Sequence, residues 1–295
     1  MELKLQFNGS ADGLINYLEN FAKIRPTLLL EVDTQERAFV AKGLVEDRSS
    51  VRYSSLKFED TNLNFVSDNG DAKERIQVGI LNQLPKFIKI LKCFNDILKV
   101  TPKEGEAQPT VDLLIRYDNT FDDAQHDVLG ALSITLKSKT LSMKFDCFRI
   151  SEFKHLTDEQ FLKNVFNVSN ETRIVLTQET ISSIISTTDI VSVSPREDIV
   201  IFNINGDEVY VSDKLNDSEA NFRMSIAHLP EASANAVQVA IKRDTFMKML
   251  GKPDSDYEAI IGYSETRGGE LAINRVLFAS TINTTKIVIS SVTVG

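Results

Sequence analysis

Residues 84–94 read LPKFIKILKCF, a stretch in which lysines alternate with apolar residues. At about 100° per residue, a helix here has one cationic face and one apolar face. The cations are Lys86, Lys89 and Lys92, and the apolar residues centred on the opposite side are Phe87, Ile90, Leu91 and Phe94. The pattern predicts a helix that packs on a sheet and turns three lysines outward. Those lysines either form a solvated face or meet a negatively charged partner.

Short strands are predicted for most of the remaining chain. Alternating or β-branched runs recur between polar turns, and they include short runs at 191–193 and 270–273. Asn205-Gly206 lies between two such runs and is a strong hairpin signal, because both residues tolerate positive φ. The chain is therefore predicted to be mainly β, with few helices.

Four main helices are predicted from start and stop signals. Their bounds are Ser10 to Arg25, Asn82 to Ile97 with Pro85 in the first turn, the residues that follow Thr177, and Asp244 to Leu250. A capping-box pattern at Thr157 and Gln160 predicts one further helix.

The predicted elements repeat. Each main helix follows one strand and precedes a run of three or four strands, so one strand–helix–strands unit occurs four times. Two units to a domain give an N-terminal domain at 1–149, a connector at 150–170 and a C-terminal domain at 171–295. The predicted fold class is α+β, with two similar domains.

The overall charge restricts how this chain could bind nucleic acid. It has 295 residues, a net charge of -9 and a pI of about 5.0, whereas a general nucleic-acid binder is usually basic. Positive charge must therefore be gathered on one surface if phosphate is bound. No apolar run approaches the ~20 residues that span a bilayer, so a cytoplasmic protein is predicted. Cys93 and Cys147 are expected to be buried free thiols.

Three of the four main helices carry cations, either along one face or next to one end. The first ends with Lys23 and Arg25, and the third, after Thr177, has none. Around the fourth helix lie Lys242, Arg243, Lys248 and Lys252. Cations of this kind bind the phosphate backbone as point charges, without reading sequence. No tryptophan is present and the phenylalanines occupy core-like positions, which disfavours single-strand binding by base stacking.

No catalytic constellation is found in the sequence. There is no phosphate-binding glycine loop, HExxH, CxxC or GxSxG motif. The three histidines are scattered, and the carboxylates Asp254, Asp256 and Glu258 are interpreted as a polar turn and an exposed strand face rather than a metal site. The chain is predicted to be no enzyme and to need no metal or cofactor.

Several segments, in order along nearly the whole chain, resemble the T-even phage sliding clamps. They are YLENFAKI at 17–24, the strand and helix at 78–94, TQETISSII at 177–185, the hairpin at 199–211, FMKM at 246–249 and DYEAII at 256–261. This family is related in fold to proliferating cell nuclear antigen. The resemblance implies a DNA-clamp fold, in which six domains from three identical chains close a ring whose helices face DNA and whose strands form an acidic outer wall.

The resemblance also implies a function. The chain would be a processivity factor that encircles duplex DNA and tethers the replicative polymerase after a clamp loader has placed it there. If the chain is phage-encoded, it acts in the host cytoplasm. The DNA-facing residues would be Lys23, Arg25, Lys86, Lys89, Lys92, Lys242, Arg243, Lys248 and Lys252.

The connector is a candidate docking surface for the polymerase and the loader. Its apolar residues are Phe153, Leu156, Phe161, Leu162 and Phe166. The alternative is that they only anchor the connector to a domain.

Two other functions compete with a clamp. A β-rich, oligomeric structural or adaptor protein of a phage particle would also be acidic, but it would not need cations on successive helices. A non-specific single-strand binder needs stacking aromatics, which the sequence does not offer.

Overall fold

The computed structural model describes most of the chain. The described residues are 1–45, 50–70, 75–105, 107–121, 127–153, 156–157, 159–168, 171–193, 198–214, 219–233, 236–251, 253, 255–262 and 274–291. Two compact units are present. The first contains Met1–Leu44 and Tyr53–Leu162, and the second contains Val45–Arg52 and Lys163–Gly295.

Nine strands and two long helices lie in the described residues of the first half of the chain. In chain order these are β1 (Glu2–Phe7), α1 (Asp12–Ala22), β2 (Leu28–Asp33), β3 (Ala38–Leu44), β4 (Ser50–Lys57), β5 (Leu63–Asp68), β6 (Ile76–Ile80), α2 (Leu84–Leu98), β7 (Val111–Phe121), β8 (Asp127–Lys137) and β9 (Ser142–Asp146). Within the first unit the strand order is β5-β1-β7-β8-β9 on one path and β6-β2-β3-β4 on the other. A short parallel pairing joins β6 to β8.

The two helices of the first unit lie side by side and bury their apolar faces. Phe87 of α2 packs against Phe145 of β9, with ring centroids 5.1 Å apart. Phe21 of α1 lies over Gly43 of β3 so closely that a Cβ there would be 2.8 Å from its ring. Gly43 therefore permits the close approach of α1 to the sheet.

The second half of the chain contains the connector helix and a second set of strands. In chain order these are α3 (Glu159–Phe166), β10 (Glu171–Leu176), α4 (Gln178–Val191), β11 (Ile199–Asn205), β12 (Glu208–Ser212), β13 (Arg223–His228), β14 (Val237–Lys242), α5 (Arg243–Leu250), β15 (Tyr257–Gly262), β16 (Arg275–Ser280) and β17 (Lys286–Ser290). In the second unit the antiparallel orders are β10-β15-β16-β17 and β13-β12-β11-β14. Phe202, Phe246 and Phe278 meet at 6.0–6.3 Å between these two sets of strands and α5.

The fourfold repeat of strand, helix and strands is confirmed. The Asn205-Gly206 hairpin is also confirmed, since β11 and β12 pair antiparallel and Gly206 has φ +63°. Thr177 caps α4 by accepting a hydrogen bond from the Thr180 backbone N–H at 3.1 Å.

Some predicted boundaries and environments are wrong. Residues 191–193 do not form a strand, because α4 continues to Val191. The first helix ends at Ala22, not at Arg25. Cys93 is exposed, because it lies one turn after Lys89 on the outer face of α2, whereas Cys147 is half-buried. The strand predicted at 270–273 lies outside the described residues.

Candidate nucleic-acid interface

The exposed face of α2 carries three lysines. Lys86, Lys89 and Lys92 are all exposed, and on the opposite side Phe87, Leu91 and Phe94 are at most 2% exposed. Pro85 lies in the first turn, where its missing N–H breaks no helical hydrogen bond. The helix therefore has the two faces that its sequence predicts.

Carboxylates of α1 pair with part of this positive charge. The Lys92 Nζ lies 2.6 Å from Glu19 Oε1, and the Lys99 Nζ lies 2.9 Å from Asp12 Oδ2. Within the part of the chain that the structure describes, Lys86 and Lys89 have no hydrogen bond or ion pair. The unpaired positive charge of this face is thus on its first two lysines.

Asp12 is the centre of a polar cluster at one end of the two helices. Its Oδ1 accepts hydrogen bonds from Asn95 Nδ2 at 2.7 Å and from Lys99 Nζ at 3.0 Å. The hydrogen bond from Lys99 is the main reason why the pKa of Asp12 is lowered to about 2. Asp12 is therefore charged at neutral pH and holds Lys99 at the surface.

Two predicted cations, Lys23 and Arg25, lie at the C-terminal end of α1 and differ in exposure. Lys23 is the C-cap residue of α1, is exposed, and donates to Asn20 Oδ1 at 3.3 Å. Arg25 is half-buried in the segment before β2. Both lie just beyond the last turn of α1, where a cation also suits the helix dipole.

On α5, the predicted cations have different environments. Lys242 and Lys248 are exposed, and Lys248 Nζ pairs with Asp244 Oδ2 one turn earlier at 2.6 Å. Arg243 is only 6% exposed, and its Nη2 lies 2.6 Å from Asp189 Oδ1 on α4. The expectation that Arg243 faces DNA is therefore corrected: its guanidinium is buried and tied to a neighbouring helix. Lys252 lies outside the described residues.

The outer face of α4 is neutral to acidic. It exposes Ser182, Ser183 and Ser186, with Glu179 and Asp189 at the two ends. The hydroxyls of Ser182 and Ser186 donate to backbone carbonyls one turn back, at 2.7 and 2.9 Å. These two donors are already in use, so this face offers phosphate little.

The apolar connector residues are mostly core. Phe153, Leu156 and Leu162 are at most 9% exposed, and the Phe153 ring fills the space above Gly79, where a Cβ would lie 2.4 Å away. Half-buried Phe166 packs with Val165 and Val168 on the core of the second unit. The docking role predicted for these residues is corrected to anchoring for Phe153, Leu156 and Leu162, since buried side chains cannot receive a partner. The side chain of Phe161 lies outside the described part.

Among the described residues, no three His, Cys, Asp or Glu side chains come together as metal ligands. None of the five helices of the described part has the length and apolar character that a membrane crossing requires.

Several solved structures that resemble the whole chain are sliding clamps. The A. fulgidus PCNA, solved with the C-terminal region of FEN-1, aligns with a TM-score of 0.60 and 11% identity over 99% of this chain and 100% of that one. The DNA polymerase sliding clamp of Bacillus subtilis aligns with a TM-score of 0.60 and 13% identity over 100% of this chain and 66% of that one. This chain has the sliding-clamp fold.

A third solved sliding clamp also aligns with nearly the whole chain. The Helicobacter pylori beta clamp, solved with a DNA ligase peptide, aligns with a TM-score of 0.57 and 8% identity over 99% of this chain. No protein-family model and no curated protein sequence matches the chain. At these identities the likeness is one of fold.

Proposed function

We propose that this protein is a DNA sliding clamp of the T-even phage type, which encircles duplex DNA and tethers a replicative polymerase without catalysing a reaction. The observation that carries the proposal is the exposed lysine face of α2, in a chain with the sliding-clamp fold. The order-preserving sequence resemblance described above supports the phage type.

The proposed DNA contact is electrostatic and independent of sequence. Lys86, Lys89 and Lys92 would meet phosphate oxygens as point charges. Lys23, Arg25, Lys242 and Lys248 would add positive charge around them. A closed ring holds DNA by topology, so these contacts can stay weak and sliding can stay fast, while the net charge of -9 discourages other surfaces from binding phosphate.

We propose a homotrimer as the ring. The A. fulgidus PCNA is matched over its full length by this two-unit chain, whereas the longer B. subtilis clamp is matched over 66% of its own length. Two units to a chain and six to a ring give three chains. Sedimentation equilibrium at micromolar concentration should therefore report a trimer, and a stable monomer there would contradict the ring.

We propose a polymerase and a clamp loader as partners. Support comes from the clamps solved with the FEN-1 C-terminal region and with a DNA ligase peptide, which bind short segments of other proteins. The buried connector residues do not supply that surface, so its position is best sought by crosslinking.

The decisive test of function compares closed circular with linear duplex DNA. The protein, loaded on nicked circles by its loader, should remain bound during gel filtration in high salt and should be lost when one restriction cut linearises the circle. A structural or adaptor protein of a phage particle would be lost equally from both forms, and that result would contradict the clamp.

A further inference from the structure

The Lys92–Glu19 pair is exposed enough to exchange partners. The side chains are 55% and 39% exposed, and the Nζ–Oε1 distance is 2.6 Å. Exposed ion pairs of this kind contribute little to stability and are readily screened by salt. Glu19 can therefore release Lys92 to another anion at little cost.

The pairing divides the lysine face of α2 into two parts. Lys86 and Lys89 have no described partner, whereas Lys92, on the same face, is neutralised by a carboxylate from the neighbouring helix. A carboxylate and a phosphate offer the ammonium group the same kind of charged oxygen acceptor. In a complex with DNA, the two would compete for one lysine.

We propose that Glu19 is a built-in competitor of DNA phosphate for Lys92, and that it weakens the grip of the lysine face on the duplex. This inference rests on the proposed clamp function and assigns Glu19 a role in setting how strongly the ring holds DNA. A clamp that is retained by topology gains nothing from tight phosphate contacts, because each contact must break for the protein to slide. Glu19 holds Lys92 in an ion pair for part of the time, and this favours sliding of the ring along DNA.

The experiment measures binding of a short linear duplex, which cannot be retained by topology. The variants are Glu19→Gln, Lys92→Gln and the double variant, titrated by fluorescence anisotropy at several salt concentrations. Glu19→Gln should bind more tightly than wild type at low salt. The slope of log K against log salt should steepen by up to about 0.9 for each added phosphate contact. In the Lys92→Gln background, Glu19→Gln should leave the slope unchanged.

A matched control separates this site from net charge. Glu36→Gln makes the same change in charge and also removes an exposed ion pair of a lysine, since Lys57 Nζ lies 3.0 Å from Glu36 Oε2, and neither residue is on α1 or α2. It should leave the salt slope as in wild type. Equal effects of Glu36→Gln and Glu19→Gln would overturn the inference in favour of a general charge effect.

The outcomes for Glu19 and for the clamp itself are distinguishable. If wild type is retained on circles but Glu19→Gln leaves both affinity and slope unchanged, the Glu19 inference is wrong and the clamp stands. If wild type is lost equally from circles and linear DNA, the clamp proposal is wrong, and with it the role given to Glu19. Thermal melting of each variant, with a transition like that of wild type, ensures that folded protein is compared.

Discussion

Asn95 Oδ1 accepts a hydrogen bond from the backbone N–H of Ala11 at 2.7 Å, so a side chain of α2 holds the N-terminal end of α1. The same amide donates through Nδ2 to Asp12 Oδ1, and Asn95 is only 4% exposed. The two helices are thus fixed to each other by polar contacts as well as by their apolar faces.

Replacing Asn95 by alanine should lower the free energy of unfolding by about 1–3 kcal/mol, because buried hydrogen-bonding groups lose their partner. Denaturant unfolding at pH 7 measures this. Asn16→Ala, on the exposed side of α1, is the control and should change stability by less than about 0.5 kcal/mol. Equal effects of the two variants would show that the Asn95 contacts do not stabilise the helix pair.

Changing Lys86, Lys89 and Lys92 together to glutamate should abolish processive synthesis while the trimer stays folded. The three side chains lie opposite the buried Phe87, Leu91 and Phe94, so the reversal of charge acts on the DNA contact and not on the core. Primer extension on a long circular template at several salt concentrations is the measurement.

The control for that variant reverses three exposed lysines of the first half of the chain that are not on helices: Lys57, Lys137 and Lys139. This control variant changes the net charge by the same amount as the α2 variant, and primer extension with it should still give long products. Wild-type product lengths from the α2 variant would mean that its lysine face is only solvated.

Arg243→Gln should act on stability rather than on DNA. It removes the ion pair between the nearly buried guanidinium and Asp189, and it should lower the free energy of unfolding by about 1–3 kcal/mol. That figure is below the usual range for buried pairs, because Asp189 is largely exposed. Lys248→Gln on the same helix should be close to neutral in stability. A stable Arg243→Gln protein with a flattened salt slope would restore the DNA-facing role.

Asp12 should make the protein more sensitive to acid. Its pKa is lowered from 3.8 to about 2, mainly by the hydrogen bond from Lys99. A carboxylate with a depressed folded pKa stabilises the fold fully above the unfolded value, and this stabilisation is lost as the pH falls through the folded value. Asp12→Asn should therefore be less stable than wild type at pH 6, and the difference should shrink between pH 4 and pH 2. Asp60→Asn removes an exposed carboxylate, is the control at pH 6, and should change the free energy of unfolding by less than about 0.5 kcal/mol.

The two cysteines should differ strongly in reactivity. Cys93 is exposed on α2, whereas burial raises the pKa of the Cys147 thiol to about 12. At pH 8 roughly one Cys147 in ten thousand is then a thiolate, which is the reactive form. Titration with a chromogenic disulfide should give one fast thiol per chain, and Cys93→Ser should remove it. Two fast thiols would contradict the burial of Cys147.

The sequence predicts the repeated unit because helix and strand periods are local properties. The pattern of α2 is clear, because three lysines recur every third residue between aromatic and aliphatic side chains. An α-helix places these lysines on one face and the apolar side chains on the opposite face. The Asn205-Gly206 turn is equally local. Such features depend on neighbours in the chain and need no tertiary contact.

The pairing of charges could not be predicted, because it depends on which helices become neighbours. Nothing in the spacing of Glu19 and Lys92, or of Asp189 and Arg243, indicates that each pair meets. The sequence therefore predicts that Arg243 faces DNA together with the lysines beside it. The role of the connector depends on tertiary contacts in the same way. Apolar residues in a predicted linker indicate burial or docking equally well, and Phe153 is buried because Gly79 leaves room for its ring.

The assignment of Val45–Arg52 to the second unit has a consequence for biosynthesis. The Arg52 guanidinium donates to the backbone carbonyl of Met249 at 3.0 Å, across 197 positions of the chain. At translation rates of about 5–20 residues per second, the acceptor leaves the ribosome roughly 10–40 s after the donor. During that interval the early segment lacks its neighbours of the second unit and is open to chaperones and to other nascent chains. The second unit can therefore be completed only late in synthesis, and a fragment starting at its own first helix would lack a piece of its own structure.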